Sequence, residues 1–323
     1  MARPCTIPGA QTPATLARHD AGGKPQEQEP ATITAVSLSR IVPLLALGSA
    51  LLTAAGAIFV RQGLRGADAF SGYWINLAVG TICVWGAVLV SGPPGAISLG
   101  GIAFFVLAGL IGTVVGRLLR FVAIEKVGAS VASALINLTP LFASGLAILF
   151  LGERVTLPIL LGTVVIVLGT VFLSGSSRTA GFRPRHLWLG ILSAACFGVV
   201  AVLRKLGLGQ IGPVLGFAVN VTTALVAFSA FLVASGRHRD IRARGRSLAC
   251  FVAAGVAENM GVFLNVVALS LGTVSVVTPL TGSAPIFVLV MSFLFLRGVE
   301  TLTGRIIAGT VLIVLGVYLI TAP

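Results

Sequence analysis

From residue 41 to residue 321 the chain is written in apolar runs of about twenty residues, and that length constrains the fold more than anything else in the sequence. About 20 residues at about 1.5 Å rise cross a hydrocarbon core of about 30 Å. The runs fall at 41–60, 71–91, 101–124, 129–151, 157–174, 187–207, 211–235, 248–270, 273–296 and 303–321. The gaps are short and turn-like, as in "SGPPGA" at 91–96 and "GERVT" at 152–156. The expected fold is an all-α polytopic membrane protein with about ten transmembrane helices. Residues 1–38, rich in Pro, Gln, Thr and Ala, read as a disordered N-terminal tail.

Composition agrees. The chain is 56% hydrophobic and only 10% charged, which a soluble domain does not need. Its net charge of +13 does not point to nucleic acid. Most basic residues sit in the gaps between runs, where they meet lipid headgroups. Three of the four cysteines lie inside apolar runs without paired spacing and read as packing residues. The histidines His19, His186 and His238 lie outside the runs and near no carboxylate cluster. No metal and no cofactor are expected. The expected partners are a small-molecule substrate and membrane lipid, with a homodimer as a further possibility.

The octamer "GTVVIVLG" at 162–169 returns as "GTVLIVLG" at 309–316, an offset of 147. Other features recur at nearly that distance. Arg61 is followed by Arg204 at 143, Asn76 by Asn220 and Gly128 by Gly272 at 144, Pro140 by Pro285 at 145, and Glu153 by Glu300 at 147. The offset only grows, as in a duplicated unit that has gained a few residues. The chain is therefore read as two five-helix repeats, 41–174 and 187–321. Because five is odd, the second copy enters the membrane from the opposite side. The halves are then related by a two-fold axis in the membrane plane, a construction typical of secondary transporters. Within each octamer the glycines are seven residues apart on one helix face, where they allow close helix packing.

The segment 123–169, "AIEKVGASVASALINLTPLFASGLAILFLGERVTLPILLGTVVIVLG", resembles the core of the EamA-type domain of the drug/metabolite transporter superfamily. Val127-Gly128-Ala129, Thr139-Pro140 and Leu151-Gly152-Glu153-Arg154 carry the resemblance, and the second copy keeps Gly272, Pro285 and Glu300. It implies a ten-helix inverted-repeat carrier of small metabolites or exported compounds, in a bacterial-type inner membrane, with both termini in the cytoplasm. Basic residues near the membrane are more numerous on the side opposite the N-terminus, and the positive-inside rule would put the termini outside.

Glu258, in "FVAAGVAENMGVFL", lies about ten residues into its run and so about 15 Å deep. Charge is expensive there, and intramembrane ionisable groups usually mark pathways or proton relays. Glu258 is the proton-coupling candidate. Arg117, late in the third run, is a candidate to bind anions or pair with Glu258. Asn76 and Asn220 are symmetric polar residues that serve either as interhelical hydrogen-bond groups or as pocket groups. Asn137, Thr139 and Asn259 are further cavity candidates of the same kind. Arg204, at the end of its run, reads as snorkelling to the interface. Pro140 and Pro285 read as hinges within the fourth and ninth helices, because proline removes a backbone hydrogen bond. No catalytic cluster and no GxxxxGK[ST] loop is present, which argues against an enzyme or an ATP-driven pump. The expected function is secondary transport by alternating access, with a channel or a lipid scramblase or flippase as the alternative.

Overall fold

A computed structural model of the chain describes residues 31–90, 97–117, 119–120, 122–123, 135–174, 186–237, 243–295 and 304–321. All regular structure among the described residues is helical. In chain order the helices are α1 (Ala31–Gly63), α2 (Ala69–Val90), α3 (Leu99–Ala108), α4 (Thr139–Leu151), α5 (Leu157–Ser174), α6 (Leu187–Leu208), α7 (Pro213–Ala234), α8 (Gly245–Leu271), α9 (Val274–Thr281), α10 (Ala284–Phe295) and α11 (Gly304–Thr321). A wider π-helical segment, Gly109–Gly116, continues directly from α3. Six of these spans are long and apolar enough to cross a membrane, and shorter apolar helices accompany them. The tail expected over 1–38 lies outside the described residues as far as 30. From Ala31 the apolar segment "ATITAVSL", free of Gly and Pro, already belongs to α1.

The octamers pack against each other. A Cβ added to Gly162 would lie 2.8 Å from the carbonyl oxygen of Gly316, and one on Gly169 would lie 2.7 Å from that of Gly309. Residue numbers rise along α5 as they fall along α11, so the helices are antiparallel. These are the last helices of the two repeats, and their opposite directions display the inversion directly. Contacts elsewhere come in mirrored pairs: α2 packs on α8 as α3 packs on α7, while α2 meets its own counterpart α7.

The prolines sit differently from the sequence expectation. Pro140 is the second residue of α4 and Pro285 the second of α10, so neither interrupts a helix from within. Each follows a break. The Thr139 hydroxyl donates to the Ile136 carbonyl at 2.6 Å, and the Ser283 hydroxyl donates to that of Leu280 at 2.6 Å. Tight turns follow in register, Leu141 N to Leu138 O at 3.0 Å and Ile286 N to Ser283 O at 3.0 Å. Proline is tolerated in the first helical turn because no backbone bond is lost there. The ninth run is thus two helices, α9 and α10. A Cβ on Gly282, in the second break, would lie 3.2 Å from Pro140 Cγ, so the break meets the start of α4. The prolines that do lie inside helices were not singled out from the sequence: Pro43 in α1 and Pro279 in α9.

The Leu151-Gly152-Glu153 motif has a mechanical role. Gly152 ends α4 with φ +64°, a left-handed conformation that favours glycine. The Glu153 carboxylate then accepts the backbone N–H of Val274 at 2.7 Å, that of Ser275 at 3.0 Å and the Ser275 hydroxyl at 2.5 Å. A carboxylate of the first half therefore caps the N-terminus of α9 in the second. Beside it, Lys205 Nζ donates to the carbonyls of Leu269 (2.7 Å) and Gly272 (2.6 Å) at the end of α8. Substituting Glu153→Ala should cost about 1–2 kcal/mol, the upper range for a lost helix cap. Thermal unfolding in detergent would register this as a lowered midpoint, with Glu153→Gln intermediate. An unchanged midpoint would show that the clasp adds no stability.

Candidate functional site

Asn76 is the eighth residue of the 22-residue α2, and Asn220 the eighth of the 22-residue α7. The duplication therefore puts an amide at the same depth in each half, and the α2–α7 contact brings the two helices together. Both amides are buried and line one cavity of about 60 Å³. Tyr73 from α2, Arg117 after α3, Arg204 from α6, and Glu258 and Asn259 from α8 share its wall. Phe217, Val221, Ala224 and Val262 supply apolar surface.

The two amides do opposite work. Asn76 Nδ2 donates to Glu258 Oε2 at 2.7 Å. Asn220 Oδ1 instead accepts from an Arg204 terminal nitrogen at 2.6 Å, while its Nδ2 donates to the Phe105 carbonyl at 3.3 Å. Asn259 Nδ2 holds Asn76 in place, reaching its carbonyl at 3.1 Å and its Oδ1 at 3.2 Å. The repeat is symmetric in backbone and asymmetric in charge. One amide serves an acid and the other serves a base.

Glycines let the helices approach closely enough for this network. A Cβ on Gly56 of α1 would run into the Glu258 side chain, and one on Gly80 of α2 into the Asn259 amide. A Cβ on Gly109, where the π-helical segment begins, would lie 2.8 Å from the Asn220 carbonyl oxygen. A π turn holds more residues than an α turn, so this segment shifts the face from which the following residue, Arg117, emerges. Such wide turns are frequent at functional sites.

Glu258 takes its hydrogen bond from Asn76, not from Arg117. The Arg117 guanidinium lies over the Tyr73 ring, 4.3 Å from its centroid, a cation–π arrangement. Arg204 corrects the snorkelling expectation: its guanidinium turns inward, with a buried Nε. Asn76, Arg117, Asn220, Glu258 and Asn259 are thus brought together. Asn137 and Thr139 lie at the break before α4, and Pro140 and Pro285 lie in the first turns of α4 and α10. Sequence reading missed Tyr73. The signal was its spacing, three residues before Asn76 and so on the same helix face.

Several known proteins are similar to this chain. The EamA-like transporter family matches the chain twice, over residues 40–175 and 185–322. An uncharacterized transporter of Archaeoglobus fulgidus is 20% identical over 280 residues, covering 87% of this chain and 98% of that protein. An uncharacterized protein of Methanocaldococcus jannaschii is 41% identical over 64 residues, 20% of this chain and 47% of that protein. A solved crystal structure superposes with a TM-score of 0.73 at 20% identity, covering 87% of this chain and 98% of the other, and shares the fold. With both halves matched and a polar cavity between them, the chain belongs to the EamA-like transporter family.

Proposed function

We propose that this protein is a secondary carrier that moves a small metabolite or exported compound across an inner membrane by alternating access, with Glu258 carrying the coupling proton. One observation carries the reading. The cavity is built from both inverted halves, and an ionisable carboxylate stands midway along α8 at its wall. Inverted-repeat carriers bind substrate between their repeats near the midplane. Asn76 holds one oxygen of Glu258, and a proton or a ligand would take the other. Growth and uptake profiling of a deletion strain across metabolites and toxic analogues tests the reading. A carrier gives a solute-specific phenotype that disappears when the gradient is dissipated. Solute movement indifferent to the gradient would favour a channel, and no solute phenotype at all would end the carrier reading.

The paired breaks before Pro140 and Pro285 would serve as the hinges. Proline at the second position has no N–H to donate to the preceding turn, so the backbone bond that would join that turn to the helix cannot form. Pro140→Ala should allow the segment to close into a continuous helix. The expected result is slower transport, with yield and unfolding temperature unchanged. A well-folded variant that transports at the wild-type rate would remove the hinge.

A further inference from the structure

The charges around the cavity do not balance. Arg117 and Arg204 bring two cations, and Glu258 brings one carboxylate. Nor do the cations find acids as nearest partners. Arg204 bonds the neutral amide of Asn220, and its buried Nε has no hydrogen-bond partner among the described residues. Arg117 rests on the face of Tyr73, and Glu258 is engaged by Asn76. Buried charge is tolerated when it is paired and fully hydrogen-bonded, and this site is short of one anion. A guanidinium presents a planar fork of donors that matches a carboxylate in two-point geometry.

From these observations we infer that the cavity takes a short-chain monocarboxylate, with its oxyanion held between Arg117 and Arg204 and its alkyl part against Val221 and Val262. The inference rests on reading the cavity as the substrate site. Among the lining residues a single negative charge completes the balance when Glu258 is ionised, while Arg120, close enough to interact with both Arg117 and Glu258, adds a further cation nearby. The apolar wall suits a carbon chain better than a second charged group. A volume of about 60 Å³ suits a small ligand.

The test uses the full chain in nanodiscs of phosphatidylcholine alone, so that no net anionic headgroup competes for the site. Thermal unfolding is followed with sodium propionate and lactate, with their uncharged amides propionamide and lactamide, and with inorganic phosphate, all at constant ionic strength. The expected result is saturable stabilisation by the carboxylates only. In Arg117→Gln the half-saturating concentration should rise tenfold or more. Arg204→Lys, which keeps the charge and loses the fork, should weaken binding less than Arg117→Gln. If Arg204→Lys does not fold, the Arg117 arm and the amide comparison decide alone. Equal stabilisation by amides, stronger stabilisation by phosphate, or no stabilisation by any probe would overturn the inference. Its failure is separable from failure of the carrier reading. Strain profiling that reveals a neutral or cationic solute leaves the carrier standing and removes the carboxylate, whereas carboxylate binding without any solute phenotype does the reverse.

Discussion

Glu258→Gln is expected to give a protein that folds, binds substrate and exchanges it, yet cannot accumulate it against a gradient. Glutamine has the shape of the protonated acid, and its side-chain oxygen can still accept from Asn76 Nδ2, which donates at 2.7 Å in the wild type. The polar network around Asn259 would therefore persist. What disappears is the ability to take up a proton on one side and release it on the other. A pH difference of one unit is worth about 1.36 kcal/mol per proton, a tenfold accumulation ratio. In reconstituted vesicles with such a gradient, the wild type should approach that tenfold ratio and the variant should stay near unity. Counterflow, which needs no proton, should survive. A Gln variant that accumulates substrate at the wild-type rate and with the same pH dependence would make Glu258 a structural group.

Gly169→Val should be among the most damaging single changes in the molecule. The added Cβ would lie 2.7 Å from the Gly309 carbonyl oxygen and 2.9 Å from the Ile313 backbone nitrogen. Both are backbone atoms on a packed helix, so no side-chain rotation relieves the clash. Overpacking of this kind costs about 1–3 kcal/mol, and a backbone clash belongs at the upper end. In lipid, helix association rests on close van der Waals fit and not on expulsion of water, so a pair held 1 Å further apart loses much of its attraction. Gly145→Val in α4 is the control, since a Cβ there meets nothing within 4 Å. Expected is a sharp fall in monodisperse protein after detergent extraction for Gly169→Val, and a yield near wild type for Gly145→Val. Equal yields and equal unfolding temperatures would mean that α5 and α11 separate without cost.

The overall plan was legible in the sequence because a bilayer fixes helix length and a duplication fixes spacing. The octamer showed that close packing was required, but not which helix was the partner, since one small-residue face is compatible with many neighbours. Only the fold reveals that the two octamers face each other. At the cavity, Asn76, Asn220 and Glu258 stood out because polar groups are rare in the runs. Arg204 did not, since an arginine near a helix end can reach the interface or turn inward with the same local sequence. Its direction is decided by Asn220, sixteen residues away on the next helix. The prolines lie just after breaks in the chain's helices, but sequence could not say that each helix restarts there. That depends on the turns closed by Thr139 and Ser283.

Under an exchange of conformations between the halves, the glycine seam of α5 and α11 returns to itself. The two-fold axis carries Gly162 onto Gly309 and Gly316 onto Gly169, so the contact 162–316 becomes the contact 309–169, which is already made. The seam therefore needs no rearrangement between the two end states. In the proposed carrier it would be the stator of the device. The clasp of Glu153 on α9 has no such immunity. Its two ends, Glu153 and Val274, are not exchanged with each other by the axis, so the exchange does not return it to itself. Substitutions at the seam should therefore act equally on both end states of the proposed carrier.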